Sequence, residues 1–117
     1  MSDYDEKIYK DALKAAQPEL GDGAEAVAKA FAVAYAQVKT LKQAPEDKDK
    51  LRLYGLSKQA LQDPPFEQRQ VPGMFDIKRK AMDRAWKEVV DEHLTPAKAQ
   101  EEYTKLVNFL INKLGTQ

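Results

Sequence analysis

Residues 45–60 read Pro-Glu-Asp-Lys-Asp-Lys-Leu-Arg-Leu-Tyr-Gly-Leu-Ser-Lys-Gln-Ala. Pro45 followed by Glu46 and Asp47 has the form of a helix start, because proline's fixed φ suits a first turn and acids there face the positive end of the helix dipole. The helix should run to about Gln62, where Asp63-Pro64-Pro65 breaks it. Within it Lys50, Tyr54 and Lys58 recur at i, i+4 and i+8, so two ammonium groups and a phenol stand along one line of the surface. Such a row suits phosphate. Read from spacing alone, it is more simply a solvated face with Tyr54 half buried.

On the N-terminal side of this stretch, Val27, Phe31, Ala34, Val38 and Leu41 step by 4, 3, 4 and 3 from Ala24 onward, which predicts the first main helix. On the other side, the Pro and Gly punctuation from Asp63 to Val71-Pro72-Gly73 predicts a long irregular connection. A third helix is expected from near Lys78 with Ala81, Ala85, Trp86 and Val89 turned inward. A fourth opens at Thr95-Pro96, an N-cap and an N1 proline, carries Ala99, Tyr103, Leu106, Leu110 and Leu114, and closes at Gly115. Alternating strand runs are absent, so the fold class is all-α. Ahead of the four, Tyr4 to Gln17 is a further helix candidate around Ile8 and Leu13, expected to end at Pro18 and the Gly21-Asp22-Gly23 break.

A chain of 117 residues fits one domain, and 43% hydrophobic against 32% charged residues excludes disorder driven by charge. The absence of cysteine removes disulfide frameworks, thiolate metal sites and cysteine nucleophiles. The longest apolar run, Ala30 to Ala36, is far short of a membrane span. Met1 to Lys7 carries Asp3, Asp5 and Glu6 where a leader would be basic. A cytoplasmic monomer is expected. Equal numbers of basic and acidic residues, 19 each, hide a split: residues 1–25 hold three Lys and seven acids, and the remainder is mildly basic. Positive charge gathers in Lys39–Lys58 and Arg69–Lys87, which favours a polyanionic ligand. Nucleic acid is not expected, because neither segment interleaves aromatics regularly and the total charge is low.

Catalytic chemistry is poorly supplied, with one histidine, two serines and no motif placing a base beside a nucleophile. An enzyme is therefore not expected. His93 follows Asp91-Glu92 at a helix end and reads as an exposed capping residue. The acid pairs Asp91-Glu92 and Glu101-Glu102 lack an oxygen-rich loop, so no metal is expected.

The run from Pro45 to Ala60 resembles the signature helix of the acyl-CoA-binding protein family, with its pattern of Leu, Tyr, two residues and Tyr-Lys-Gln-Ala. Pro72-Gly73-Met74-Phe75-Asp76, followed by Lys80-Ala81 and Ala85-Trp86, is similar to the family's second block, and Val38-Lys39-Thr40-Leu41 and Ala99 to Tyr103 fit its first and fourth helices. The resemblance covers roughly Ala26 to Leu114. It implies a four-helix up-down-down-up bundle over residues 26–117, behind an acidic N-terminal extension of residues 1–25. It implies a ligand, fatty acyl-CoA of medium or long chain, with no cofactor, no reaction and no stable insertion into membranes. Carried over by position, Tyr54 and Lys58 would meet the 3′-phosphate and adenosine end, Lys39 and Tyr103 would contact the CoA moiety, and Leu51 and its neighbours, with Val38, would line the apolar part.

Two positions depart from the family. Ser57 stands where a second tyrosine usually stacks on adenine, and Met82 where a phosphate-binding lysine usually stands. Lys50, one turn before Tyr54, and Arg79, one turn before Met82, are the candidates to supply the missing cations, and Met82 is alternatively a packing surface for adenine or the acyl chain. Loss of the nucleotide site would instead leave a helical interaction module of the same fold. A membrane-surface role ranks lower, because no strongly amphipathic exposed helix is evident. Residues 1–25 read either as a partial cover near the ligand entrance or as a frayed tail, and in both cases the bundle is expected to stand without residues 1–23.

Overall fold

The computed structural model describes residues 3–117; Met1 and Ser2, the start of the expected extension, lie outside them. The described residues form five α-helices: α1 (Glu6–Leu20), α2 (Ala24–Gln37), α3 (Asp47–Leu61), α4 (Ile77–Asp91) and α5 (Pro96–Leu114). Among them no helix is long and apolar enough to cross a membrane.

Helices α2 to α5 follow the four predicted segments. The continuous helix expected through Leu41 tightens after Gln37 into a single 3₁₀ turn, Val38–Thr40, closed by the Thr40 hydroxyl donating to the Gln37 carbonyl at 2.7 Å. Asp76 caps α4, its carboxylate accepting from the Arg79 amide at 3.1 Å, and Thr95 caps α5, its hydroxyl oxygen accepting from the Lys98 amide at 3.1 Å. Gln62 ends α3 in the left-handed region, φ 52°, its amide donating to the Lys58 carbonyl. His93 is exposed at φ 61°, just past the end of α4.

The directions of the helices follow from what their ends touch. The first turns of α2 lie beside Glu101 and Thr104 of α5, while the chain after α2 pairs with the C-terminus through Lys42 to Gly115 and Gln117 to Thr40, both 2.9 Å. So α2 and α5 run the same way. Ala60 of α3 lies by Gln100, and Leu56 by Leu106, so α3 runs opposite to α5. Helix α4 packs on α3, and Gly55 is where they cross: a Cβ built there would stand 2.5 Å from the Ala85 carbonyl oxygen, so the backbones are in direct contact. Trp86 is buried next to this crossing, its indole N–H donating to Gln59 Oε1 at 3.2 Å, while the Gln59 amide donates to the Leu94 carbonyl at 2.9 Å.

Helix α1 corrects two sequence expectations. It runs through Pro18 to Leu20 instead of ending at Gln17. Proline there deprives only the Lys14 carbonyl of its partner, and both residues are exposed, so solvent reaches the freed oxygen. Gly21, at φ 56°, then turns the chain, its amide donating to the Gln17 carbonyl. Nor is α1 a frayed tail or a cover. It packs on α2, α3 and α5, with Ala12, Ala16, Ala24 and Ala28 all fully buried, because alanine faces allow two helices to approach closely. The hydrophobic core formed by Phe31, Leu53, Leu56, Val89, Tyr103, Val107 and Leu110 therefore extends to Ala12, with Ile8, Tyr9 and Leu13 packed against it.

Candidate functional site

Two clefts meet at Tyr54. The first, about 490 Å³, has Tyr54 and Lys58 of α3 on one wall and Arg79, Met82, Asp83 and Trp86 of α4 on the other, with Pro64, Gln68, Arg69, Gln70 and Pro72 of the connecting loop across the end. The second, about 300 Å³, is bounded by Tyr35, Val38 and Lys39, by Pro45, by Lys50, Leu53, Tyr54 and Ser57, and by Tyr103. Residues of α3 reach both because positions 50, 53, 54 and 57 share one helical face, with 58 at its edge.

Each cation in the first cleft is held differently. The Lys58 ammonium lies over the Trp86 ring, 5.3 Å from its centroid, which anchors the stem, and it forms no ion pair with a described residue. Arg69 is committed: its guanidinium forms a forked pair with Asp83 and lies 3.8 Å from the centroid of Phe66, which meets Trp86 edge to face. That bond to Asp83 raises the already high pKa of Arg69, so it is charged throughout the ordinary pH range. Arg79 makes no ion pair with a described residue, yet acts on Tyr54: burial pushes the Tyr54 phenol above its usual pKa, Arg79 pulls it down, and Asp83 pushes it up.

The second cleft is floored by aromatics. Tyr35 stacks on Tyr103 at 6.0 Å and 26°, and Tyr103 meets Phe31 edge to face at 4.9 Å. Tyr103 is buried, and burial, aided by the Tyr35 phenol, holds its pKa far above the usual tyrosine range. The half-exposed ring of the pair is Tyr35, with the Lys39 ammonium 5.7 Å from its centroid. The Ser57 hydroxyl is turned back onto its own helix, donating to the Tyr54 carbonyl at 2.9 Å.

Of the residues singled out in the sequence, Lys58, Arg79 and Met82 border the first cleft, Lys39, Lys50, Ser57 and Tyr103 the second, and Tyr54 both. Leu51 borders neither. It lies about 20° around the helix from Lys58, two turns on, at the edge of the cleft-lining face, and Leu53 is the leucine of α3 that borders the second cleft. Sequence reasoning missed Tyr35, although its spacing of four from Lys39 marks both as one face, and missed Arg69, whose role depends on a loop that no periodicity predicts.

A family model described as Acyl CoA binding protein matches residues 28–107. The chain belongs to the acyl-CoA-binding protein family. It is 42% identical over 85 residues to acyl-CoA-binding protein homolog 1 of Caenorhabditis elegans, covering 73% of this chain and 94% of the nematode protein. It is 40% identical over 80 residues to an acyl-CoA-binding protein of Gossypium hirsutum, covering 68% and 85%. A Manduca sexta acyl-CoA-binding protein homolog is 39% identical over 90 residues, covering 74% and 93%. No solved structure matches the chain significantly. The acyl-CoA-binding family match takes in most of α2, all of α3 and α4, and α5 as far as Val107, so it contains every residue bordering the two clefts. Helix α1 lies outside it.

Proposed function

We propose that this chain binds and carries medium- or long-chain fatty acyl-CoA esters and performs no reaction on them, in the cytoplasm and as a monomer. The observation that carries the reading is the junction at Tyr54, where the first cleft brings Lys58 and Arg79 and the second brings Lys39 and Lys50 around one phenol. Four cations converging on a partly apolar surface suit a ligand with several phosphates and a hydrocarbon tail. Charge-assisted hydrogen bonds from Lys58, Arg79, Lys39 and Lys50 fix the nucleotide end. In place of the residue missing at Ser57, Tyr35 offers a ring for the base, supported from behind by Tyr103. The tail lies on apolar wall, Val38 and Leu53 in one cleft and Pro72 and Met82 in the other, and each methylene buried adds about 0.8 kcal/mol.

Titration calorimetry with palmitoyl-CoA tests this. A carrier gives one saturating site and an affinity that rises with chain length. Absence of heat with both palmitoyl-CoA and free CoA would leave the chain as a helical interaction module that keeps the fold without the nucleotide site.

A further inference from the structure

The turn between the connecting loop and α4 places large apolar side chains where no core receives them. The Asp76 amide donates to the Gly73 carbonyl at 3.1 Å, which puts Met74 and Phe75 at the corners of a tight turn. Phe75 is 90% exposed, Ile77 81%, Met74 74% and Val71 70%, and these are four of the five large hydrophobics that stand exposed among the described residues. Scattered apolar residues on a surface need no explanation, but four within seven residues form a patch, and patches mark contact sites.

The charge around the patch is mostly positive. Lys78, Arg79, Lys80 and Arg84 form no ion pair with a described residue. The two nearby carboxylates are occupied, Asp76 in capping α4 and Asp83 in holding Arg69. We propose that residues 71–77 are a docking tip for an anionic lipid surface, with Phe75, Met74, Ile77 and Val71 entering the boundary between headgroups and acyl chains while the four cations face the headgroups. The apolar groups stand on a projecting turn and form no groove, which fits insertion better than reception of a partner helix or strand. A second copy of this face would bring four unpaired cations against four more. Each cation near an anionic bilayer raises partitioning about fivefold, and the inserted side chains add the salt-independent part. The apolar groups lie on a turn, where no helical periodicity marks them. Pro72 and Arg79 also border the first cleft, so docking would present that cleft's mouth to the lipid.

The test uses the full chain without ligand, floated with vesicles of phosphatidylcholine or of phosphatidylcholine with about 30% phosphatidylserine. Partitioning at least tenfold stronger on the anionic vesicles is expected. The double variant Met74→Ser with Phe75→Ser should lower it about tenfold, and Lys78→Gln with Lys80→Gln about 25-fold, with urea midpoints unchanged because all four side chains are outside the core. No partitioning onto either vesicle would overturn the proposal, as would full partitioning of the Met74→Ser, Phe75→Ser chain. Two further results would also overturn it. One is self-association in sedimentation velocity that the Met74→Ser, Phe75→Ser change abolishes, which would make the patch an interface between copies. The other is weaker palmitoyl-CoA binding in solution by that variant with vesicle binding intact, which would make the patch a cover for the tail.

Discussion

The side-chain amide of Gln100 on α5 donates to the main-chain carbonyl of Ala12 on α1 at 2.8 Å, in a place with no solvent exposure. The same nitrogen donates to the Ala60 carbonyl of α3 at 3.1 Å, so one side chain ties together three helices, and its own Oε1 accepts from no described residue. Gln100→Ala leaves two carbonyls without that donor and a small void. It should lower stability by about 2–4 kcal/mol, read from urea unfolding. A loss under about 1 kcal/mol would mean that water already serves these carbonyls.

Removing residues 1–23 tests the same junction from the other side. The truncation uncovers Ala28 and Gln100 and strips Ile8, Tyr9 and Leu13 from the core margin, so the remaining chain should show a lowered and broadened thermal transition. An unchanged transition would restore the view that α1 is dispensable.

Lys58→Ala should weaken palmitoyl-CoA binding by about 1.5–3 kcal/mol, the range for a hydrogen bond to a charged group, and Tyr54→Phe by about 0.5–1.5 kcal/mol. Both are read by calorimetry, with helix content checked by circular dichroism. The reverse order would make the phenol the principal phosphate contact.

Met82 and Arg79 form a paired test. Arg79 and Tyr54 line opposite walls of the first cleft, beside Met82, which favours Arg79 as the substitute for the family's lysine. Met82→Lys alone should therefore change affinity less than about threefold, yet recover most of the loss caused by Arg79→Ala, and the recovery should shrink with salt. Strong tightening in the single variant would mean that Arg79 does not reach the phosphate. Weaker binding confined to long-chain esters would place Met82 against the tail.

Arg52 and Glu92 form a forked ion pair, 2.6 and 2.9 Å, between α3 and the end of α4. The hydrogen bond from Arg52 holds the Glu92 carboxyl below its ordinary pKa. A carboxyl depressed in the folded state contributes its stability above the unfolded pKa, and loses it as pH falls through the folded one. Because both groups are partly exposed, the contribution is under about 1 kcal/mol. Wild type should exceed Glu92→Gln in melting temperature at pH 7, and the gap should close below pH 4. A constant gap across that range would assign the difference to packing.

The four-helix part of the fold was legible because its signals are local: the stripe from Val27 to Leu41, the Thr95-Pro96 start and the Gly115 stop each act within a turn or two. The end of α1 was not, because Pro18 is tolerated only through the exposure of Lys14, and its burial was not, because an alanine face carries no hydrophobic stripe to read. In the candidate site, Tyr54 and Lys58 are marked by helical spacing, Lys39 by the family pattern and Arg79 by standing one turn before Met82, and all four border the clefts. Leu51, carried over as part of the apolar lining, borders neither cleft, and the Arg69–Asp83 pair joins positions that only the folded loop brings together.

Gly55 has a consequence for how any ligand is received. Because α3 and α4 touch main chain to main chain there, the spacing between the Tyr54–Lys58 wall and the Arg79–Met82 wall is set by peptide groups and not by compressible side chains. The frame has no slack to take up, so binding should proceed with little reorganisation of the backbone. Substitutions on opposite walls that share no partner should then combine as independent increments in binding free energy. A side chain at position 55 would change that by levering the walls apart, and would reach every contact in the first cleft from a residue that touches none of the ligand.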